Sequence, residues 1–201
     1  SHEFELISLS EGLKQLESGS VKSTRSLSIT FDDSLKLPSA VLELLASKGV
    51  KPGLFLNSDP IIRQTPLGNH SKYLNWLFNT SKPSDPYETW AKSQYLSIDD
   101  IHRMLNQSLV ELGSHTASHG RLNHLQINDL TTQIAGAHKE LEQRLNRNIP
   151  YFAFPYGGLR DRTFLAEYKA MQISNHYFAC EGGVNQNLVP GALLRIGVHN
   201  E

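Results

Sequence analysis

Two aspartates stand side by side at the end of an apolar run. The stretch LSITFDDSLKLP, residues 27–38, has apolar residues at alternate positions and then places Asp32 directly before Asp33. Adjacent ionised carboxylates at the end of a buried strand repel each other and lose hydration, so something cationic should compensate them. Taken alone, the pair fits either a site that holds a cation or a structural cap of the helix that follows.

A second aspartate pair, Asp99 and Asp100, is predicted to be structural. Ser97 and Asp100 fit the S-x-x-D capping pattern, in which acidic residues occupy the first turn of a helix. No catalytic role is expected there.

Two histidines in the segment GSHTASHG, His115 and His119, are four residues apart. Helical spacing would place both imidazoles on one face, where they could share a metal ion. The segment follows the apolar run LVEL, so the histidines come at the end of a strand, as the first aspartate pair does. Catalytic groups collect at the carboxyl ends of strands in parallel α/β sheets, and the two groups can therefore meet.

A third segment, FAFPYGG, ends a predicted strand with Pro155, Tyr156 and two glycines. Pro155 lacks a backbone donor and has a fixed φ, while the glycines allow the backbone to approach a ligand closely. By itself the segment would be taken for an ordinary turn. Its order after TFDDS and HTASH is harder to attribute to chance.

The elements that must position these groups alternate between strands and helices, which is typical of a parallel α/β fold. The helix after the first aspartate pair is expected to have Ser34 as its N-cap, Pro38 in its first turn and Gly49 at its end. Other helices are predicted over residues 10–19, from about 97, over about 128–145 and over 161–171, and strands over 4–9, 25–31, 52–57, 109–112, 151–154, 176–179 and 192–198.

Composition indicates one globular domain spanning residues 1–201, with 39% hydrophobic residues and a formal charge of −1. This charge favours neither nucleic acid nor a membrane surface as a partner, and no apolar run is long enough for a transmembrane helix. A single cysteine, Cys180, excludes an internal disulfide and is expected to be a small core residue. Residues 1–4 look like the remnant of an expression tag, and no signal peptide is evident.

Residues 58–95 are predicted to form a long insertion with little regular structure. Long loops of this kind are usually functional or disordered. Its aromatic residues would form either a sugar-stacking wall or a small satellite core; they are Tyr73, Trp76, Phe78, Tyr87 and Trp90.

Taken in order, the three segments resemble the motifs of the polysaccharide deacetylases of the NodB-homology type, carbohydrate esterase family 4. TFDDS resembles the first motif, T-F-D-D-G, with Ser34 where glycine is usual; HTASH matches H-[ST]-x-x-H, and AFPYG resembles R-x-P-Y-G. The resemblance spans about residues 26–199. It implies a distorted (β/α) barrel with fewer than eight strands.

The resemblance also implies a reaction and roles for individual residues. The family hydrolyses N-acetyl or O-acetyl groups on carbohydrates with a divalent metal, expected here to be zinc held by Asp33, His115 and His119. Asp32 would be the general base that takes a proton from the attacking water. The backbone N–H of Tyr156 would help to stabilise the oxyanion, with Pro155 and Tyr156 lining the substrate site.

Two departures from the family pattern concern the catalytic base and the acid. Ala153 stands where the third motif has the arginine that holds the catalytic aspartate, and Arg195 in the late strand is expected to replace it; the alternative is an arginine that extends into solvent. His199 loosely matches a late Leu-x-His motif whose histidine protonates the leaving amine. The alternative is that His199 is a surface residue.

Three functions are therefore compatible with the sequence. The first is a metal-dependent hydrolase that removes an acetyl group, expected to be N-acetyl, from a carbohydrate. The second is a related metal hydrolase of a small amide. The third is a carbohydrate-binding protein that keeps the fold without turnover, for which Ala153 is the main argument.

Overall fold

The computed structural model describes residues 4–19, 26–65, 67, 93–156, 163–186 and 192–197. A five-stranded parallel sheet dominates these residues, with strand order β3-β4-β5-β6-β7, and a two-stranded parallel sheet pairs β1 with β2. The strands are β1 (Glu5–Leu6), β2 (Ser26–Leu27), β3 (Thr30–Phe31), β4 (Gly53–Leu56), β5 (Glu111–Ser114), β6 (Tyr151–Ala153) and β7 (His176–Phe178).

Helices connect the successive strands, except that β3 follows β2 after two residues. They are α1 (Leu9–Glu17), α2 (Ser39–Ser47), α3 (Ile98–Asn106), α4 (Ile127–Thr131), α5 (Ala137–Leu145) and α6 (Phe164–Met171). A π-helical segment, Thr132–Gly136, joins α4 to α5; a second, Asp59–Arg63, follows β4, and a short 3-10 helix spans Leu122–His124. None of the described helices is long and apolar enough to cross a membrane.

The sheet is curled into a half-barrel. The rings of Phe55 on β4 and Phe178 on β7 are 5.4 Å apart between centroids, although two strands lie between β4 and β7 in the sheet. Three strand spacings in a flat sheet would separate them by about 14 Å. Gly113 on β5 makes room for the enclosed ring, because a Cβ there would come within 2.2 Å of Phe55.

Residues of β4 alternate between the two faces of the sheet. Leu54 and Leu56 join the core cluster that contains residues of α3 and α5, whereas Phe55 joins the cluster that contains residues of α1. Helix α1 thus covers the concave side, and the other helices cover the convex side. Residues on both faces of β4 and β6 are buried, which explains why these two strands are continuous apolar runs.

The predicted distorted (β/α) barrel with fewer than eight strands is confirmed. The boundaries differ in several places. Strand β5 begins and ends two residues later than the predicted strand at 109–112. The end was missed because Gly113, which has little strand propensity, pairs within the sheet. The predicted strand at 25–31 is divided between β2 and β3, which belong to different sheets. Of the predicted strand at 192–198, the described part pairs with β7 at Leu193 alone.

The prediction that Ser34 caps α2 is wrong. The helix begins at Ser39 with Pro38 as its N-cap, and Gly49 ends it with a φ of +71°. Ser34 instead lies in the tight turn after β3 and is 2% exposed. The capping box predicted for Ser97 and Asp100 is present in α3.

The insertion predicted at residues 58–95 is not irregular throughout. Asp59–Arg63 forms a π-helical turn, stabilised by ion pairs from Arg63 to Asp59 and to Glu140. At the other end Tyr95 pairs with Leu35, close to the aspartate turn. Residues 66 and 68–92, including the five aromatic residues of the insertion, lie outside the described part of the chain.

Candidate active site

The aspartate pair lies on a strained turn at the carboxyl end of β3. Asp33 and Ser34 both have positive φ, 70° and 60°, which non-glycine residues adopt at a cost. The Ser34 carbonyl oxygen accepts a hydrogen bond from Leu96 N at 2.8 Å, so the end of the insertion fastens this turn. The surrounding structure stabilises the strained backbone of this turn. The turn places the two carboxylates at the carboxyl edge of the sheet.

The histidine pair lies on the loop after β5, and the predicted helical placement is wrong. Thr116 and His119 have positive φ, 69° and 56°, so the loop folds back on itself without forming a helix. The His119 N–H donates to Thr116 Oγ1, and Ser118 donates to the side chain of Gln133. The imidazole rings of His115 and His119 are nevertheless 4.9 Å apart between centroids.

His115 is 1% exposed and is fixed by both neighbouring strands. Its N–H donates to the Leu56 carbonyl at 2.8 Å, and its Nδ1 lies 2.8 Å from the Ala153 carbonyl oxygen. A carbonyl oxygen can only accept, so Nδ1 carries a proton. In the neutral imidazole the other nitrogen, Nε2, therefore has the lone pair that a metal ion requires.

Asp33, His115 and His119 form a group that could hold a metal ion. Asp33 Oδ1 lies 3.6 Å from His115 Nε2 and 3.2 Å from His119 Nε2, and the three potential ligand atoms all lie within 4.8 Å of one another. Two imidazole nitrogens and one carboxylate oxygen match the donor set of catalytic zinc sites, which leave a position open. The residues present therefore fit a divalent metal of this kind.

Asp32 is held by the arginine that sequence analysis singled out. Arg195 Nη1 donates to Asp32 Oδ1 at 2.7 Å, and Nη2 donates to Oδ2 at 2.9 Å. Arg195 also donates to Thr30 Oγ1 at 3.2 Å, and its guanidinium lies 5.0 Å above the centre of the Phe55 ring. The alternative of an arginine directed into solvent is excluded.

Opposing charges set the ionisation of this cluster. Burial raises the pKa of Asp32, but the positive charge of Arg195, the proximity of His115 and the hydrogen bonds from Arg195 outweigh burial, so the pKa lies below its ordinary value. Burial lowers the pKa of His115, but the negative charges of Asp32 and Asp33 outweigh it and raise the pKa above its ordinary value. Because the pKa of Asp32 is lowered, its carboxyl group is ionised at neutral pH.

The third motif segment places Tyr156 at the rim of the cluster. Tyr156 has a φ of 59° and is 41% exposed, and its ring is tilted against that of His119 with 4.7 Å between the centroids. The Arg121 guanidinium lies 4.3 Å above the Tyr156 ring, and Pro155 is buried. His199 and the two glycines after Tyr156 lie outside the described residues.

Two residues near the site differ from expectation. Cys180 is exposed, not in the core as predicted, and its Sγ lies 3.5 Å from Arg195 Nη2. Asn57, which sequence analysis missed, is fully buried after β4 and donates from Nδ2 to the His115 carbonyl. The signal that could have identified Asn57 is a polar residue directly after a buried strand, the same signal that identified Asp32 and His115.

The half-barrel fold and the cluster at its carboxyl edge define a parallel α/β protein with an enzyme-like site. The chain belongs to the polysaccharide deacetylase family, whose family model matches residues 19–176. The resemblance found in the three motifs is thereby confirmed, and membership supports carbohydrate deacetylation as the activity. Arg195 and His199 lie beyond the matched residues. No curated protein sequence matches the chain significantly.

Solved structures with the same fold include two deacetylases and a third protein, IcaB, all of low sequence identity. The deacetylase PplD of Streptococcus pyogenes, in complex with acetate, has 15% identity and a TM-score of 0.67, over 96% of this chain and 73% of that one. A de-N-acetylase from Aggregatibacter actinomycetemcomitans has 16% identity and a TM-score of 0.67, over 96% and 78%. IcaB from Ammonifex degensii has 15% identity and a TM-score of 0.70, over 98% and 78%.

Proposed function

We propose that this chain is a metal-dependent hydrolase that removes an acetyl group, specifically an N-acetyl group, from a carbohydrate. One observation carries the proposal. An Asp32 carboxylate paired with a guanidinium lies beside a group of two imidazoles and one carboxylate, with Asp32 Oδ2 3.6 Å from His115 Nε2. A base next to potential metal ligands is the arrangement that hydrolysis of an unactivated amide requires.

Asp33, His115 and His119 would hold the ion, which we expect to be zinc because of the two imidazoles. The chemistry that a divalent ion supplies in such a site is acidification of a water molecule and polarisation of a carbonyl group. The protein contributes the orientation of the donors. His115 presents Nε2 because its Nδ1 contacts the Ala153 carbonyl.

Asp32 would act as the general base by accepting the proton of the attacking water on a carboxylate oxygen. The low pKa keeps Asp32 ionised, and both oxygens are engaged by Arg195, which fixes their orientation. Arg195 would thus take the part that the motif-three arginine plays in the family, where this chain has Ala153. Arg195 is a positioning residue, because it acts through Asp32.

The substrate would bind at the rim formed by the third motif. Tyr156, which is exposed, would contact the acetylated sugar, and its N–H would donate to the developing oxyanion. Pro155 was also predicted to line the substrate site, but it is buried. The strained φ of Tyr156 is consistent with a backbone held for such a task. His199 is proposed as the acid that protonates the leaving amine.

Two of the three solved structures support this choice of substrate class. One similar protein is described in complex with acetate, the product of deacetylation, and another is described as a de-N-acetylase. The binding-only alternative depended on the absence of an arginine at position 153. The Asp32–Arg195 pair removes that argument.

The test is acetate release from N-acetylated and O-acetylated saccharides by zinc-loaded and by chelator-treated protein. We expect acetate from N-acetylated oligosaccharides in the loaded protein only. Turnover of small acetamides without turnover of saccharides would favour the small-amide alternative. Saccharide binding with no release from any substrate would contradict the proposal and favour the binding-only alternative.

A further inference from the structure

A buried asparagine lies between the two halves of the candidate metal site. Asn57 is fully buried and directly follows β4, whose neighbours in the sheet are β3 and β5. The turn with Asp33 follows β3, and the loop with His115 follows β5. Asn57 therefore lies between the two segments that supply candidate ligands.

Asn57 contacts both segments through different groups. Its backbone N–H donates to Ser34 Oγ at 2.7 Å, on the turn that carries Asp33. Its side-chain Nδ2 donates to the carbonyl oxygen of His115. The orientation of the amide is determined, because exchanging Nδ2 for Oδ1 would set two acceptors against each other.

Burial of the Asn57 side-chain amide costs free energy. Asn57 Oδ1 is buried and has no hydrogen-bond partner among the described residues, a state that native structures rarely tolerate. An apolar side chain at this position would avoid the orphan acceptor but would leave the buried His115 carbonyl without the Nδ2 donor. The amide is therefore explained by its contact with His115.

We propose that Asn57, together with Ser34, is a positioning residue that holds Asp33 and His115 at the separation required for a shared divalent ion. The inference rests on the proposed metal-dependent function. It also accounts for a departure from the family motif. Ser34 stands where glycine is usual and accepts a strained φ, and its hydroxyl is the acceptor for the Asn57 N–H.

The first test measures zinc affinity by competition with a chelating indicator. Asn57→Ala is expected to lower the affinity about 10- to 100-fold, the range typical of partners that orient metal ligands. Ser58→Ala is the matched control, because Ser58 is equally buried and its Oγ has no hydrogen-bond partner among the described residues. The control should bind zinc as the parent does. Parental affinity in folded Asn57→Ala would overturn the proposal.

Ser34→Gly provides a second variant in case Asn57→Ala does not fold. Glycine adopts a positive φ without strain, so this variant keeps the backbone of the turn while losing the hydroxyl. We expect its zinc affinity to fall without a matching fall in the thermal midpoint of the metal-free protein. A purely structural role would lower both together, and unchanged affinity would contradict the proposal.

A readout on metal-free protein separates this inference from the proposed function. At a pH high enough for the His115 imidazole to be neutral, its ¹⁵N signals should report one tautomer, protonated on Nδ1, in the parent and a mixture in Asn57→Ala. If the parent binds no divalent ion, the proposed function is wrong and the two zinc-affinity tests have no readout. The ¹⁵N signals then test by themselves whether Asn57 orients His115. Identical signals in parent and variant would then overturn it.

Discussion

Arg195 engages both carboxylate oxygens of Asp32, at 2.7 and 2.9 Å, although 163 residues separate the two in the chain. Two parallel N–H···O bonds from a planar guanidinium fix orientation as well as charge, which a lysine cannot do. Arg195 also donates to Thr30 on β3, and the chain next to it pairs with β7. The arginine thus joins the two outer strands of the half-barrel at the place where the proposed base lies.

Replacing this arginine tests its effect on the base. Arg195→Met is expected to lower activity at neutral pH by up to about 100-fold, the cost of a misplaced catalytic group. The positive charge of Arg195 lowers the pKa of Asp32, so its loss raises that pKa and moves the acid limb of the pH–rate profile to higher pH. Arg195→Lys keeps the positive charge, so it should bring the acid limb part of the way back to that of the parent, but it should not restore the activity.

The control for Arg195 is Arg103→Met, which removes an exposed arginine from α3. The control should leave the profile unchanged. An acid limb at the same pH in Arg195→Met and in the parent would show that Arg195 does not set the ionisation of Asp32.

Asp32 should be required for turnover and dispensable for metal binding. Asp32→Asn keeps the shape and removes the base, so activity should fall about 100-fold or more while the metal content of the protein holds. Acetate release and metal analysis on the same sample provide the measurement, with the exposed Asp99→Asn as control. Parallel loss of metal would make Asp32 a ligand instead.

His119→Ala should remove one of three metal ligands. The free energy of zinc binding at sites with four protein ligands is about 10–16 kcal/mol in total. Loss of one ligand is therefore expected to lower the zinc affinity roughly 100-fold or more. In the parent, affinity should also fall as the pH falls, and the fall should begin above the ordinary imidazole pKa of about 6.5, because the neighbouring aspartates raise the pKa of His115 and a ligand imidazole must be neutral. His124→Ala, which alters an exposed histidine five residues further on, should bind zinc normally. Equal affinity in His119→Ala and the parent would refute the assignment.

A buried histidine outside the site should shape the pH dependence of stability. His138 is 5% exposed, and its Nδ1 lies 2.8 Å from Ser114 Oγ. Burial lowers its pKa, opposed in part by Glu142. Below a pH of about 6.5 the unfolded chain therefore binds a proton that the folded chain rejects, and the free energy of unfolding falls as the pH falls.

His138→Gln removes this contribution. Denaturant unfolding of metal-free protein between pH 5 and 7.5 should show a shallower decline of stability toward low pH in His138→Gln than in the parent. His124→Gln should match the parent. An equal slope in all three proteins would mean that His138 titrates alike in the folded and unfolded chain.

The local sequence pattern was sufficient to predict the order of elements and the segments that carry the candidate metal ligands. Buried parallel strands are continuous apolar runs, and the polar residues that end them, Asp32 and His115 among them, lie at one edge because parallel strands share a direction. A second local pattern, S-x-x-D at Ser97 and Asp100, correctly predicted the capping box of α3. Boundaries failed where a residue acted against its propensity, as Gly113 does within β5.

The sequence by itself determined the parallel α/β class through hydrophobic periodicity, and the family, with the distorted barrel that the family implies, through the order of the three motif segments; both are local properties of the chain. Only the tertiary structure decided that His115 and His119 lie on a loop, that Asn57 bridges their segment to the aspartate turn, and that Cys180 is exposed. These outcomes depend on left-handed backbone conformations and on the curl of the sheet. Both are set by packing between residues that are distant in the chain. Such contacts leave no periodic pattern in the sequence from which they could be predicted.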